Sequence, residues 1–195
     1  MKKQTLSSLL LLLICSTSFS QLEKKTWLVG GNGSFSSANN TSSIATASKQ
    51  TKIIIAPNIA YFIIDKLASG LKLTYGRNKV NYGSTFLPLE ESSYLIGPYL
   101  RYYLLEKEKL INLVVESSFS YGNLIQGSQI IGGGKTSTES SNFSFTAGPV
   151  FYFNSSIGLE FLVGFSSEKY KNYIGNNSYF TIGIGFQFYL QKLKN

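Results

Sequence analysis

Four charged residues stand inside runs of apolar and small residues: Lys72, Arg101, Glu116 and Glu160. Two cations and two carboxylates can pair into a neutral lattice, gate a narrow pore, or supply a general acid and base. An unpaired charge in such surroundings is costly, and breaking a buried pair typically costs about 3–5 kcal/mol, which favours the lattice. Nothing between the carboxylates marks a substrate cleft.

Other chemistries have little to stand on. The chain has no His, which removes His-dependent triads, acid–base pairs and metal clusters. Its one Cys, Cys15, can form neither an internal disulfide nor a Cys-rich zinc site. The run Gly132-Gly133-Gly134-Lys135-Thr136 is like the end of a phosphate loop, but position 129 is Gln where that motif needs Gly. No buried strand precedes it and no helix pattern follows, so an outer loop is expected. Lysines are scattered: Lys24, Lys25, Lys107, Lys109, Lys192 and Lys194 towards one end of the strands, Lys79, Lys135, Lys169 and Lys171 towards the other. That scatter offers nucleic acid no basic patch and suits anionic lipid headgroups or lipopolysaccharide. No catalytic residue, cofactor or metal site is expected.

The elements that carry these charges have a period of two. In the last segment Phe180, Ile182, Ile184, Phe186, Phe188 and Leu190 share one face, while Thr181, Gly183, Gly185, Gln187 and Tyr189 share the other. The same rhythm recurs in seven earlier segments, starting near Thr26, Lys52, Leu67, Ser93, Ile111, Asn142 and Ser156. Eight strands of about ten residues are each long enough to cross a bilayer when tilted. Connections alternate between long and short. Ser36–Lys49, Asn78–Glu91, Asn123–Ser140 and Ser167–Asn177 are long and polar, and Ile64–Lys66, Leu105–Lys109 and Asn154–Ser155 are short. The stretches 36–49 and 135–144, rich in Ser, Thr and Asn, are expected to be mobile loops. By phase, Lys72, Arg101, Glu116 and Glu160 all point into the lumen. Pro57, Pro98 and Pro149 fall inside strands, where they cannot donate to a ladder, so bulges or strand ends are expected there.

The chain has 195 residues, suited to one domain, and only 14% of them are charged while 14% are aromatic. Its start has Lys2 and Lys3, an apolar run from Leu9 to Ile14, then small residues at Ser18 and Ser20, the pattern of a signal peptide cleaved before Gln21. Residues 1–20 are thus read as a removed signal and 21–195 as a single barrel domain. Ile14 before Cys15 disfavours lipidation, for which a small residue is expected there. A secreted lipocalin-like barrel is the competing fold, but it favours a Gly where Lys25 precedes Trp27 by two. Eight bulky stripes facing water would also exceed the apolar patch a soluble monomer tolerates. The small opposite face fits the narrow inside of an eight-stranded barrel. The aromatics Tyr61, Tyr75, Tyr94, Tyr121, Phe153 and Phe165 suit the two membrane interfaces.

The sequence resembles the small outer-membrane β-barrel family common in the Bacteroidetes, porin-like barrels of OmpA/OmpX type. The resemblance is carried by Thr26-Trp27-Leu28-Val29-Gly30-Gly31, the stretch from Ala56-Pro57-Asn58 to Ser69-Gly70-Leu71, Ile96-Gly97-Pro98-Tyr99-Leu100-Arg101-Tyr102-Tyr103, Ala147-Gly148-Pro149-Val150-Phe151-Tyr152-Phe153, Gly158-Leu159-Glu160, and Gly183-Ile184-Gly185-Phe186-Gln187-Phe188-Tyr189-Leu190. It implies an all-β, eight-stranded antiparallel up-and-down transmembrane barrel in the outer membrane of a Gram-negative bacterium, with both termini periplasmic. It further implies passage through the barrel-assembly machinery, contact with outer-membrane lipid, and no catalytic activity. The expected role is a scaffold presenting four extracellular loops to a surface ligand. The alternative is a narrow porin-like channel for ions or very small solutes, gated by the lumenal charges.

Overall fold

Strands with one bulky apolar face and one small polar face satisfy every edge only by closing on themselves. The computed structural model describes residues 22–40, 48–81, 88–106, 109–127, 134–171 and 176–191. The expected signal segment and Cys15 lie outside the described residues. Eight strands form: β1 (Trp27–Asn40), β2 (Ser48–Ile64), β3 (Leu67–Asn81), β4 (Leu89–Tyr103), β5 (Ile111–Gly127), β6 (Lys135–Tyr152), β7 (Ile157–Tyr170) and β8 (Asn177–Leu190). Each pairs antiparallel with the next, and β1 meets β8 from Trp27↔Leu190 to Gly33↔Ile184, closing the barrel in sequence order.

The outer wall is the bulky face. Ile55, Leu71, Ile96, Phe119, Phe145, Phe161, Val163, Ile184 and Phe186 are all exposed, forming a continuous apolar belt. The inner face carries the buried polar residues, Arg101, Glu116, Glu160 and Gln187 among them. The two faces stand as the alternation assigns them.

Three expectations are corrected. First, the strands outrun the apolar alternation at the long-loop end. β1 and β2 stay paired up to Asn40↔Ser48, and β5 and β6 up to Gly127↔Lys135. Residues 36–40, 48–49 and 135–144 are therefore strand rather than loop, and 41–47 lie outside the described residues. Beyond the belt both faces are polar, so pairing continues where the alternation fades. Lys135 and Thr136 open β6, with no helix after them to make a phosphate site.

Second, the prolines interrupt no register. Pro57 is flanked by Ile55↔Tyr75 and Asn58↔Lys72, Pro98 by Ile96↔Tyr121 and Tyr99↔Ser118, and Pro149 by Ala147↔Val163 and Val150↔Glu160, each in step. In an antiparallel sheet a residue's N–H serves only one neighbouring strand. Each proline therefore opens one ladder locally and keeps its place in the other, opposite Gly31, Leu71 and Leu113. The residue before Pro98 and Pro149 is Gly, and the reason is space. A Cβ on Gly97 would lie 1.9 Å from the Phe119 carbonyl oxygen, and one on Gly148 1.8 Å from that of Phe161. The register does shift between Phe62 and Ile64, beside the tight turn where Lys66 takes φ 66°.

Third, Phe153 lies in the turn after β6, which ends at Tyr152. The aromatics mark the limits of the apolar belt more than the ends of strands, since Tyr75 and Tyr94 stand well inside β3 and β4.

Replacing Phe161 or Ile184 by Lys is expected to cost about 2–4 kcal/mol near a bilayer midplane, read by denaturant unfolding in lipid vesicles. Neutral behaviour at both positions would mean that the faces are reversed.

Candidate functional site

The lumen is built in layers, because each strand contributes every second residue at successive heights. At the short-turn end the inward positions turn large. Phe62 of β2, Tyr103 of β4, Tyr152 at the end of β6 and Tyr189 of β8 converge with Leu28, Val114 and Val150 into one buried cluster. The Tyr103 and Tyr189 hydroxyls are 2.9 Å apart, and the Tyr152 and Tyr189 rings lie 5.5 Å apart, edge on. Gly158 leaves room for them, since a Cβ there would meet Val150, Tyr152 and Tyr189 at 3.0–3.3 Å. Leu22, fully buried, closes the cluster from below. Its segment is tied to the barrel by Lys66 N–H donating to the Leu22 carbonyl at 2.9 Å and Lys25 N–H donating to that of Phe62 at 3.0 Å.

Above this floor the structure brings the four lumenal charges together. Arg101 of β4 is fully buried and spans the barrel. Its Nε and Nη2 donate to Glu116 Oε2 at 2.9 and 2.6 Å, and its Nη1 and Nη2 donate to Glu160 Oε2 and Oε1 at 2.8 and 3.1 Å. Lys72 Nζ donates to Glu116 Oε1. Gln187 Nε2 donates to Glu160 Oε1 at 2.8 Å. Tyr99 packs beside the cations, 5.1 Å from Lys72 Nζ at its ring centroid, and its hydroxyl donates to Asn58 Oδ1 at 3.0 Å. The charges sum to zero. Every carboxylate oxygen is engaged, which suits a filled core and leaves none free to take or give a substrate proton.

A third layer is small and polar. Asn32, Ser118, Ser144, Asn142 and Thr146 surround a chamber of about 80 Å³, which reaches down to Lys72 and Glu116. Asn32 Oδ1, Asn142 Oδ1 and Thr146 Oγ1 have no hydrogen-bond partner in the protein. A chamber of that size and polarity admits water.

The outer end opens into a cup of about 700 Å³. Lys52, Ser93, Glu168 and Tyr179 border both cup and chamber, forming the neck between them. One wall is a relay across four strands: Gln50 Nε2 donates to Asn78 Oδ1 at 3.1 Å, Asn78 Nδ2 to Glu91 Oε2 at 2.9 Å, and Gln126 Nε2 to Glu91 Oε1 at 2.6 Å. Outside the rim, Arg77, then Lys79, holds the Glu90 carboxyl below its ordinary range by hydrogen bonding, and Lys171, then Tyr121, does the same for Glu139. Among the described residues no group of three or more His, Cys, Asp or Glu could hold a metal ion.

The six aromatics expected at membrane interfaces are dispersed over the outer wall. Tyr61 packs on Trp27 at 5.0 Å near the short turns, where Phe153 also lies. Tyr75 packs on Tyr94 at 5.1 Å and Phe165 on Phe180 at 6.1 Å, nearer the long-loop end. Tyr121 donates to Glu139 Oε2. Sequence reasoning missed Gln187 and the floor of Phe62, Tyr103, Tyr152 and Tyr189. The available signal was phase, because the inward positions turn from small to large at the short-turn ends of the even-numbered strands.

No protein-family model matches the sequence, and no curated protein is similar to it in sequence. Several solved structures share the fold, these three among them. The N-terminal β-barrel domain of Pseudomonas aeruginosa OprF aligns at TM-score 0.53 and 12% identity, over 86% of this chain and 98% of that one. Neisserial surface protein A aligns at 0.55 and 14%, over 84% and 96%. The outer membrane protein OprG of Pseudomonas aeruginosa aligns at 0.51 and 12%, over 89% and 99%.

Replacing Arg101 by Met strands two buried carboxylates and is expected to cost about 3–5 kcal/mol in urea unfolding. Glu116→Lys is expected to deplete the heat-resistant folded band on a gel. A loss under about 1 kcal/mol for Arg101→Met, against that typical range, would mean the network contributes nothing to the fold.

Proposed function

We propose that the chain is an integral outer-membrane barrel of a Gram-negative bacterium with a closed lumen, a scaffold that offers its outer rim and cup to the exterior. The apolar belt supports membrane insertion, since lipid demands a closed, outwardly apolar barrel and water does not tolerate one. The solved barrels of like fold, two of them named as outer-membrane or surface proteins, support the same location. In this reading residues 1–20 direct export, both termini and the short turns are periplasmic, and the scattered lysines meet anionic lipid and lipopolysaccharide. The assembly machinery inserts the barrel. No catalysis is part of this reading.

The observation that carries the closed-lumen reading is the double barrier across it: the Arg101 network, then the Phe62, Tyr103, Tyr152 and Tyr189 floor sealed by Leu22. One observation favours the narrow channel instead. Cup and chamber share a neck, so polar space runs from outside down to Lys72 and Glu116. Conductance of the refolded protein in a planar bilayer separates the two. The closed barrel is expected to be silent. Reproducible steps that change on Arg101→Ala would establish the channel.

A further inference from the structure

The seam between β1 and β8 is paired over only half its length. The ladder runs from Trp27↔Leu190 to Gly33↔Ile184 and stops there. Continued in step, it would end with Asn40 opposite Asn177, the limits of both strands. Residues 34–40 and 177–183 are instead paired on one side only, to β2 and to β7. Phe62 N–H donates to the Thr26 carbonyl, and Tyr189 N–H to that of Ser156. By that alternation the odd residues of β1 and the even residues of β8 turn their N–H and C=O groups towards the seam. At Phe35, Phe180 and Ile182 those groups face the gap, where hydrocarbon offers them no partner.

The gap reaches the lumen. Phe35, Ile182 and Phe180 are 69%, 73% and 87% exposed, against 51% for Ile184 and Phe186 in the paired half. Ile182 faces outward, yet it borders the inner chamber together with Ser34 and Thr181, so the wall is open between them. Behind the gap stands Lys52. It lies opposite Ser36 on β2, and its Nζ is 4.2 Å from the Tyr179 ring centroid on β8, so it crosses behind β1. Its ammonium rests on that ring rather than on a carboxylate. Glu168, which also borders the neck, is buried and accepts from Ser140 Oγ on β6 at 3.4 Å. Below the gap the outer wall is grooved, because Gly31 and Gly33 put no side chain between Ile55 on β2 and Ile184 and Phe186 on β8.

We propose that this seam is a lateral portal from the membrane and a binding site for a long-chain carboxylate. The carboxylate passes between Phe35 and Ile182 to the Lys52 ammonium, and the alkyl tail lies along the groove over Gly33 and Gly31. The order of polarities carries the assignment. An apolar groove outside, backbone donors at the edges and a cation within match one hydrocarbon chain with an anionic head. A carboxylate accepts from backbone N–H and from ammonium alike, so it satisfies groups that lipid tails cannot. The inference goes beyond the closed barrel proposed above and rests on that reading only for the membrane that the apolar belt meets.

The test is photolabelling of the folded barrel in phosphatidylcholine vesicles with a palmitic acid that carries a mid-chain diazirine. Adducts are located by mass spectrometry, and gel heat-modifiability confirms folding. Adducts are expected to concentrate on the peptides that hold Phe35, Ile182 and Ile184. Excess palmitate should compete, and hexadecanol, its neutral counterpart, should not. In Lys52→Gln the competable labelling should fall about fivefold, as the loss of one charge near 4 Å in water-like surroundings implies. In Gly33→Leu it should be lost; a Cβ there meets the Ile54 carbonyl oxygen at an ordinary 3.7 Å, so the variant keeps the fold while filling the groove. Even labelling around the belt, equal competition by hexadecanol, or parent-level labelling in either variant overturns the proposal. The two readings fail separately. A barrel that inserts into the vesicles and labels evenly sinks the portal alone, whereas a chain that stays out of them sinks the membrane reading and the portal with it.

Discussion

A guanidinium cut off from water must be surrounded by acceptors, and in this barrel that requirement falls on Arg101. The lumen of eight strands is just wide enough for side chains, so Arg101 cannot bend towards solvent. It is answered from two sides, by Glu116 on the adjacent strand and by Glu160 from across the barrel. Lys72 then neutralises the second charge of the pair, and Gln187 fills the remaining acceptor site on Glu160. Buried ion pairs add little net stability over apolar packing, but they penalise any arrangement that separates them. Residues from β3, β4, β5, β7 and β8 must all be in register before the set is satisfied.

The layers on either side follow from the same confinement. Below the charges, aromatic rings fill the width, and two of their hydroxyls satisfy one another. Above them the side chains shrink to Ser, Thr and Asn, leaving a chamber, and then the barrel opens into the cup. The lumen thus runs from apolar floor to neutral ion lattice to a polar mouth.

Much of this was legible in the sequence, for a physical reason. An outer wall that meets lipid must be bulky and apolar at every second residue, so the phase of Phe161 or Ile184 fixed the phase of Glu160 and of Lys72 on the neighbouring face. Strand ends beyond Tyr75 and Tyr94 were illegible, because paired backbone between two polar faces reads like a loop. The prolines misled because a bulge is only one way to lose a donor; a Gly before Pro98 and Pro149 lets the facing carbonyl approach instead. The floor was hidden because Tyr103 and Tyr189 are of the same residue type as the tyrosines outside, and only phase tells them apart. Gln187 carries no charge to single it out.

The central claim is that the lumen is open to the exterior down to the neck and closed below it. With Cys15 the chain's one cysteine, single cysteines report this directly: Ser93→Cys lines the cup, and Val114→Cys lies in the floor. The rates at which a small charged methanethiosulfonate modifies each, in folded barrel in lipid vesicles, are the measurement to make. The account predicts rapid modification at position 93 and protection at 114 for as long as the barrel stays folded. Equal rates at the two positions would mean that the lumen is open throughout, and would contradict it.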